Sequence, residues 1–299
     1  MFSNKIIIFA KCKISMKKFI YIYLYISLTI SLNGQVINNQ ELDKMEGIKR
    51  NTSFKLEEIK VRWKKAALEN CLGVPCLSFN CGTSTITDID NNTYSTVSIG
   101  TQCWTTTNLK VTKYNDGITS IPDETANPGW GALGYGARTE YVGGAGVVTG
   151  YVSTYGYLYN WYAAAGIITS GGAAIKNICP VGWRVPSNSD WNKLAIFINT
   201  GADTTSFGII QGSAISLKKN DALWFINNGT DNYGFSALPG GFRGNTTNFS
   251  IRNYAYFWST TEDLPFNPGN SFFRDTENDD FRQLKQSNFF GMSVRCLRD

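Results

Sequence analysis

The stretch Cys179-Pro180-Val181-Gly182-Trp183-Arg184-Val185-Pro186-Ser187-Asn188-Ser189-Asp190-Trp191 carries the strongest local signal in the chain. Ser187 followed three residues later by an acid reads as a capping box, with Asp190 in place of the usual Glu. The serine oxygen accepts from an early helix amide and the carboxylate answers the serine's own N–H. Trp191, Leu194 and Ile198 then fall on one face, which predicts a helix over about 188–199. Trp183 and Trp191 beside that capped start can each bury a large apolar surface.

Outward from this helix the texture is one of turns and short strands. Ile86, Ile89, Tyr94, Val97 and Ile99 lie in short runs broken by Asp90-Asn91-Asn92, the pattern of a β-hairpin with a polar turn. Residues 129–150 carry eight glycines, too many for a helix, and predict a long surface excursion. They include a formal G-x-G-x-x-G match at Gly129, Gly131 and Gly134. A dinucleotide site needs a strand before that motif and a helix after it; here Pro128 precedes it and more glycine follows, which argues against the site. C-terminal to the capped helix, a second short helix is expected around Ile215 to Leu223. Short strands are expected at Gly234–Leu238, Tyr254–Trp258, Ser271–Phe273 and Phe289–Leu297. No internal repeat is evident.

The N-terminus has a different character. Met16-Lys17-Lys18 opens a basic region, Phe19 to Leu32 is uncharged and almost wholly apolar or small, and polarity rises at Asn33-Gly34-Gln35. That is the three-part pattern of a secretory signal peptide over residues 1–34, with Met16 a candidate true start. The alternative is an uncleaved anchor, although the apolar run is shorter than the roughly 20 residues of a spanning helix. Residues 35–82 follow as a lead-in. Within it Leu56, Ile59, Trp63, Ala66 and Ala67 recur at helical spacing until Gly73 and Pro75. The main domain is expected over 83–299, with no transmembrane span once the signal is removed.

Charge and histidine content bound the chemistry. The net charge is +5, but five lysines and no acid lie in the first 34 residues; without them 23 basic residues face 23 acidic ones. A neutral body lacks the electrostatic footprint of a nucleic-acid binder. The chain has no histidine, which removes Ser-His-Asp triads, Cys-His pairs and His-ligated zinc. Cys12 leaves with the signal peptide; Cys71, Cys76, Cys81, Cys103, Cys179 and Cys296 remain, an even number in an exported chain, and are read as structural disulfides. The acids Glu262, Asp263, Asp275, Glu277, Asp279 and Asp280 are the candidates for a glycosidase carboxylate pair or for calcium ligands, though acid-rich turns are more often solvated loops.

Several blocks then agree, in order, with one family. They are Thr87–Tyr94, Ile99–Trp104 and Asn108–Lys110; Cys179–Ser187 with Asp190-Trp191; and Gly234–Gly241, Trp258–Glu262 and Ser293–Cys296. Over roughly 83–299 the chain resembles the Fibrobacter succinogenes major paralogous domain family of exported bacterial proteins, which has no established general function. The Arg184–Trp191 block, Leu238-Pro239-Gly240-Gly241 and Val294-Arg295-Cys296 also look like formylglycine-generating-enzyme and C-type-lectin-like domains. That resemblance implies an α+β fold with short twisted antiparallel sheets, about two helices and long irregular loops. It brings the segment before the capped helix to the last strand, and so suggests Cys179–Cys296; Cys81–Cys103 and Cys71–Cys76 complete the proposed set. The oxidase activity does not carry over: its copper needs a second cysteine where this chain has Gly291, and the calcium-lectin signatures are missing. No catalytic residue and no cofactor is expected, calcium being the one left open.

The leading expectation is a secreted or envelope-bound, non-enzymatic binding module for an extracellular glycan or protein. Its competitors are a secreted glycoside hydrolase and a purely structural envelope protein. The candidate contact residues are Trp130, Tyr135, Tyr141, Tyr151 and Tyr155, expected to stand exposed on the glycine-rich excursion. The alternative is that these rings staple the loop to the core.

Overall fold

β1 (Thr85–Thr87) and β2 (Thr93–Ile99) form the expected antiparallel hairpin. Its turn is built by Asp88, whose Oδ1 accepts from the amides of Asp90 and Asn92 and whose Oδ2 accepts from the Tyr94 hydroxyl at 2.6 Å. This computed structural model describes residues 79–143, 146–167, 176–200, 209–210, 213–226, 228–263, 270–276 and 280–299, all within the compact unit Phe79–Asp299. The signal peptide, the helix expected after residue 53 and the Cys71–Cys76 pairing lie outside the described residues.

After β3 (Gln102–Thr105) come β4 (Arg138–Thr139), β5 (Val142–Gly143), β6 (Gly146–Val147), α1 (Tyr151–Tyr155), β7 (Leu158–Tyr159), α2 (Trp161–Ala165), β8 (Trp183–Arg184) and α3 (Asn188–Ile198). Then follow β9 (Ile209–Ile210), β10 (Phe242–Arg243), β11 (Asn248–Phe249), β12 (Tyr256–Glu262), β13 (Asn270–Asp275), β14 (Phe281–Ser287) and β15 (Leu297–Arg298). One sheet has the order β1-β2-β3-β15-β8 and a second the order β12-β13-β14-β9, with two-stranded ribbons β10-β11, β4-β7 and β5-β6. Every strand pair is antiparallel, so the domain is mixed α and β with antiparallel sheets and few helices.

The capped helix forms as its sequence demands. Ser187 Oγ accepts from the Asp190 amide, the Asp190 carboxylate accepts from the Ser187 amide at 2.9 Å, and Arg184 holds both carboxylate oxygens at 2.6 and 3.0 Å. Burial opposes ionisation of Asp190, but these donors win and lower its pKa to about 2. The helix buries Trp191 against Trp104 (ring centroids 4.7 Å) and Phe257 (5.8 Å). Cys179–Cys296 ties the segment before this helix to that before β15, and Cys81–Cys103 ties the chain ahead of β1 to β3.

The strand expected over Phe289–Leu297 is a turn followed by isolated bridges at Gly291, Met292 and Ser293, with regular pairing only from Leu297, and two further expectations fail for reasons visible in the backbone. Residues 215–223 make no helix: one turn on Ala214 buries Leu217, and the next amide, Lys219 N, goes to Ala237 O instead. Gly234–Leu238 is a turn rather than a strand, because Gly234 and Ser236 adopt positive φ (66° and 54°) and Asp231 accepts from the Ser236 amide. That turn aims the Phe235 and Ser236 carbonyls at Arg295. The fully buried guanidinium donates to both, to Thr105 O and to Asn108 Oδ1, over the faces of Phe235 and Phe257. Burial lowers the pKa of Arg295 without taking it out of the protonated range.

Candidate ligand groove

The glycine-rich excursion folds back onto the body, and the expected exposed rings turn inward. Trp130, Tyr151, Tyr141 and Tyr155 are all buried, at 0%, 1%, 6% and 6% exposure, and Tyr135 is half-buried. The expectation that these five stand free at the surface is therefore corrected. Tyr141, Tyr151 and Tyr155 stack in a row (5.5 and 5.1 Å), and the Tyr151 hydroxyl donates to Gly240 O at 2.6 Å. Tyr135 donates to Glu124 Oε1 at 2.8 Å. Burial raises the phenol pKa of Tyr141, Tyr151 and Tyr155, so these rings stay neutral. The loop is held by Asn160, which caps α2 at Ala163 N, accepts from Ala137 N and donates to Tyr135 O. Gly136 lies against Tyr114 and the Ala163 backbone, where a side chain has no room.

The folded-back excursion makes one wall of an open groove of about 630 Å³. Its walls are Thr125–Pro128, Tyr141–Gly143 and the hairpin from Arg243 to Phe249. The volume is typical of small-ligand sites, which run about 300–1,000 Å³. The hairpin turn closes through Gly244 N to Thr247 O, and Asn248 Nδ2 donates to Val142 O at 3.1 Å, joining β11 to β5. Arg243 is the strut. Its Nη1 donates to Glu124 O, Thr125 O and Thr139 Oγ1, and its Nη2 to Asn127 O, so the guanidinium holds the Thr125–Pro128 wall in place. It bonds three carbonyls and one hydroxyl; burial lowers its pKa and Glu124 and Asp123 pull the other way. Trp130 lies flat beneath it, 4.6 Å from ring centre to guanidinium.

One large ring does reach the surface here. Phe249 is 47% exposed and stacks at 5.3 Å on Phe242, which stacks at 5.5 Å on Phe290. A ring fixed by a stack and bare on its other side is a ready contact face. Asn248 Oδ1 and Arg243 Nε, both in residues that line the groove, have no hydrogen-bond partner, nor does Trp130 Nε1 below. Unmade bonds of this kind cost about 1–3 kcal/mol each and call for a water or ligand in explanation.

Gly291 belongs to this substructure. It pairs with Arg243 in a backbone bridge, and a Cβ there would stand 3.0 Å from Arg243 Cβ and 3.1 Å from Trp130 Cζ2. Gly291 is thus packed shut by the strut and its supporting ring. Of the acids singled out in sequence, Asp263 is buried and paired with Lys285 at 2.9 Å, and Glu262 accepts from Asn288 at 3.4 Å. Asp280 stands half-buried just before β14 and Asp275 closes β13, while 277–279 lie outside the described residues. Among the described residues no three acids or cysteines converge on a possible metal position, and no helix is long and apolar enough to cross a membrane. A second cleft of about 450 Å³ lies between Ser98–Cys103, Arg184 and Asp299, where Arg184 is committed to Asp190 and Asp299.

Two disulfides, a capped helix, antiparallel sheets and a groove walled by loops define a mixed α and β domain. Residues 97–298 match the Fibrobacter succinogenes major domain, and the chain belongs to that family. No curated protein and no solved structure matches it.

Proposed function

We propose that this chain is an exported recognition module of the bacterial envelope or surface, which binds an external glycan or protein in the groove and does no chemistry on it. We read the architecture as C-type-lectin-like: short antiparallel sheets and a capped helix form the rigid body, and long excursions carry the contacts. The groove is the observation that carries this. Its walls are fixed by Arg243 and Asn248, it has an exposed ring at Phe249, and among the described residues its lining contains no carboxylate or thiol. General acid–base hydrolysis of a glycoside asks for two carboxylates in the site. Export is supported by the signal-like N-terminus and by two disulfides, which persist in oxidising compartments. No cofactor is assigned.

The test uses the mature chain and its Phe249→Ala variant. Each is passed over immobilised polysaccharide and protein fractions of the producing cell's envelope and medium. Retention of the wild type, lost in the variant, without release of reducing ends or new amino termini, is the expected result. Product release by the wild type would overturn the non-catalytic reading.

A further inference from the structure

We infer that the groove takes an uncharged saccharide unit and takes it without a metal ion; this rests on the recognition reading above. The argument is one of matching groups. Among the described residues the only charged side chain in the lining is Arg243, which is 4% exposed, donates to Glu124 O, Thr125 O, Thr139 Oγ1 and Asn127 O, and already faces the Glu124 and Asp123 carboxylates. A charged ligand would meet no exposed, unbalanced counter-charge in this lining and would lose hydration on entry, so the ligand is neutral.

The remaining polar groups are hydroxyls and amides. Thr246 and Thr247 stand exposed on the hairpin turn, and Asn127 and Asn248 lie partly exposed along the walls. Asn248 Nδ2 is committed to Val142 and its Oδ1 is covered, so the groups open to a ligand are the Thr246 and Thr247 hydroxyls on the turn, which take hydroxyl partners at close spacing. A ligand that supplies several hydroxyl donors at close spacing meets that demand. Beside these groups Phe249 presents one bare aromatic face, with the other held on Phe242. A molecule carrying hydroxyls around its edge and an apolar C–H face is a sugar ring. The pairing of edge hydroxyls with one flat C–H face favours the sugar over a peptide, whose binding is an outcome of the test below, and neither a nucleotide nor an acidic glycan is neutral. A cation bridge to the sugar has no support either, because among the described residues no carboxylate lines the groove.

The probes are neutral oligosaccharides in two sets, one from bacterial envelope polysaccharides and one from plant cell walls, so that the two sources of the same chemistry are told apart. An array screen selects ligands and calorimetry measures them. Saturable binding of a neutral oligosaccharide is expected, unchanged by chelator and by moderate salt. Phe249→Ala should weaken it about tenfold and Phe249→Trp should preserve it. Thr246→Arg, an exposed change that fills the groove, should abolish it while the folded signal is retained. Binding confined to charged glycans, or lost with chelator, overturns the saccharide inference. So does peptide binding that responds to Phe249→Ala without any sugar binding, though that result leaves the recognition reading standing. If no probe and no envelope fraction binds in a manner that responds to either groove variant, both readings fall.

Discussion

Trp130→Ala separates a supporting ring from a contact ring. Trp130 is wholly buried, it carries the Arg243 guanidinium at 4.6 Å, and its edge packs against Gly291. Its indole N–H has no partner, so the substitution breaks no hydrogen bond made by the ring. What is lost is a large buried surface, a cavity left behind and a desolvated cation–π contact, together about 4 kcal/mol. For a domain of this size each kcal/mol moves the thermal midpoint by about 2–4 °C, so a fall of roughly 8–16 °C is expected. Calorimetry at fixed pH, with the disulfides oxidised, reads it directly. Phe249→Ala removes a half-exposed ring and should move the midpoint by only a few degrees. A fall below about 3 °C in Trp130→Ala, accompanied by loss of ligand binding, would mean that the indole belongs to the contact surface and that the groove's construction is misread.

Arg295→Met leaves Thr105, Phe235 and Ser236 carbonyls and Asn108 without their donor, so urea unfolding should show a loss of more than about 3 kcal/mol. Replacing Cys179 and Cys296 together by Ala opens a loop with a sequence separation of 117, worth about 4–5 kcal/mol in the chain-entropy account, and the variant's denaturation midpoint measures it. Asp190 has a folded-state pKa of about 2, below its model-peptide value of 3.8, so its stabilisation is full above pH 4 and is lost as pH falls towards 2. Asp190→Asn should therefore be less stable at neutral pH and show a shallower acid loss, read by circular dichroism across that window.

The parts that local physics decides were legible in the sequence. Ser187 and Asp190 specify their helix by themselves, because a capping box is satisfied within four residues. The Asp88–Asn92 turn does the same for the first hairpin. The sequence also drew attention to the 129–155 excursion, but the role of its rings depends on which way they face. That is set by partners far along the chain: Gly240 for Tyr151, Arg243 for Trp130. Residues 215–223 misled for the same reason, since Lys219 is drawn out of the helical ladder by Ala237. The groove hairpin does carry a local signal: Gly244-Asn245 lies between Phe242 and Phe249, an aromatic pair across a turn. The bare face of Phe249 has no such signal, because exposure belongs to the whole fold.

The most direct test of the account is hydrogen–deuterium exchange on the mature chain, with and without the neutral oligosaccharide selected from the array. The account predicts slowed exchange at Thr125–Asn127, Tyr141–Val142 and Thr246–Phe249, the segments that wall the groove, and no change on the face that carries Ile118 and Val181. Protection confined to the surface at Ile118 and Val181, or spread along the Ser98–Cys103 cleft with the groove unchanged, would contradict the assignment of the site.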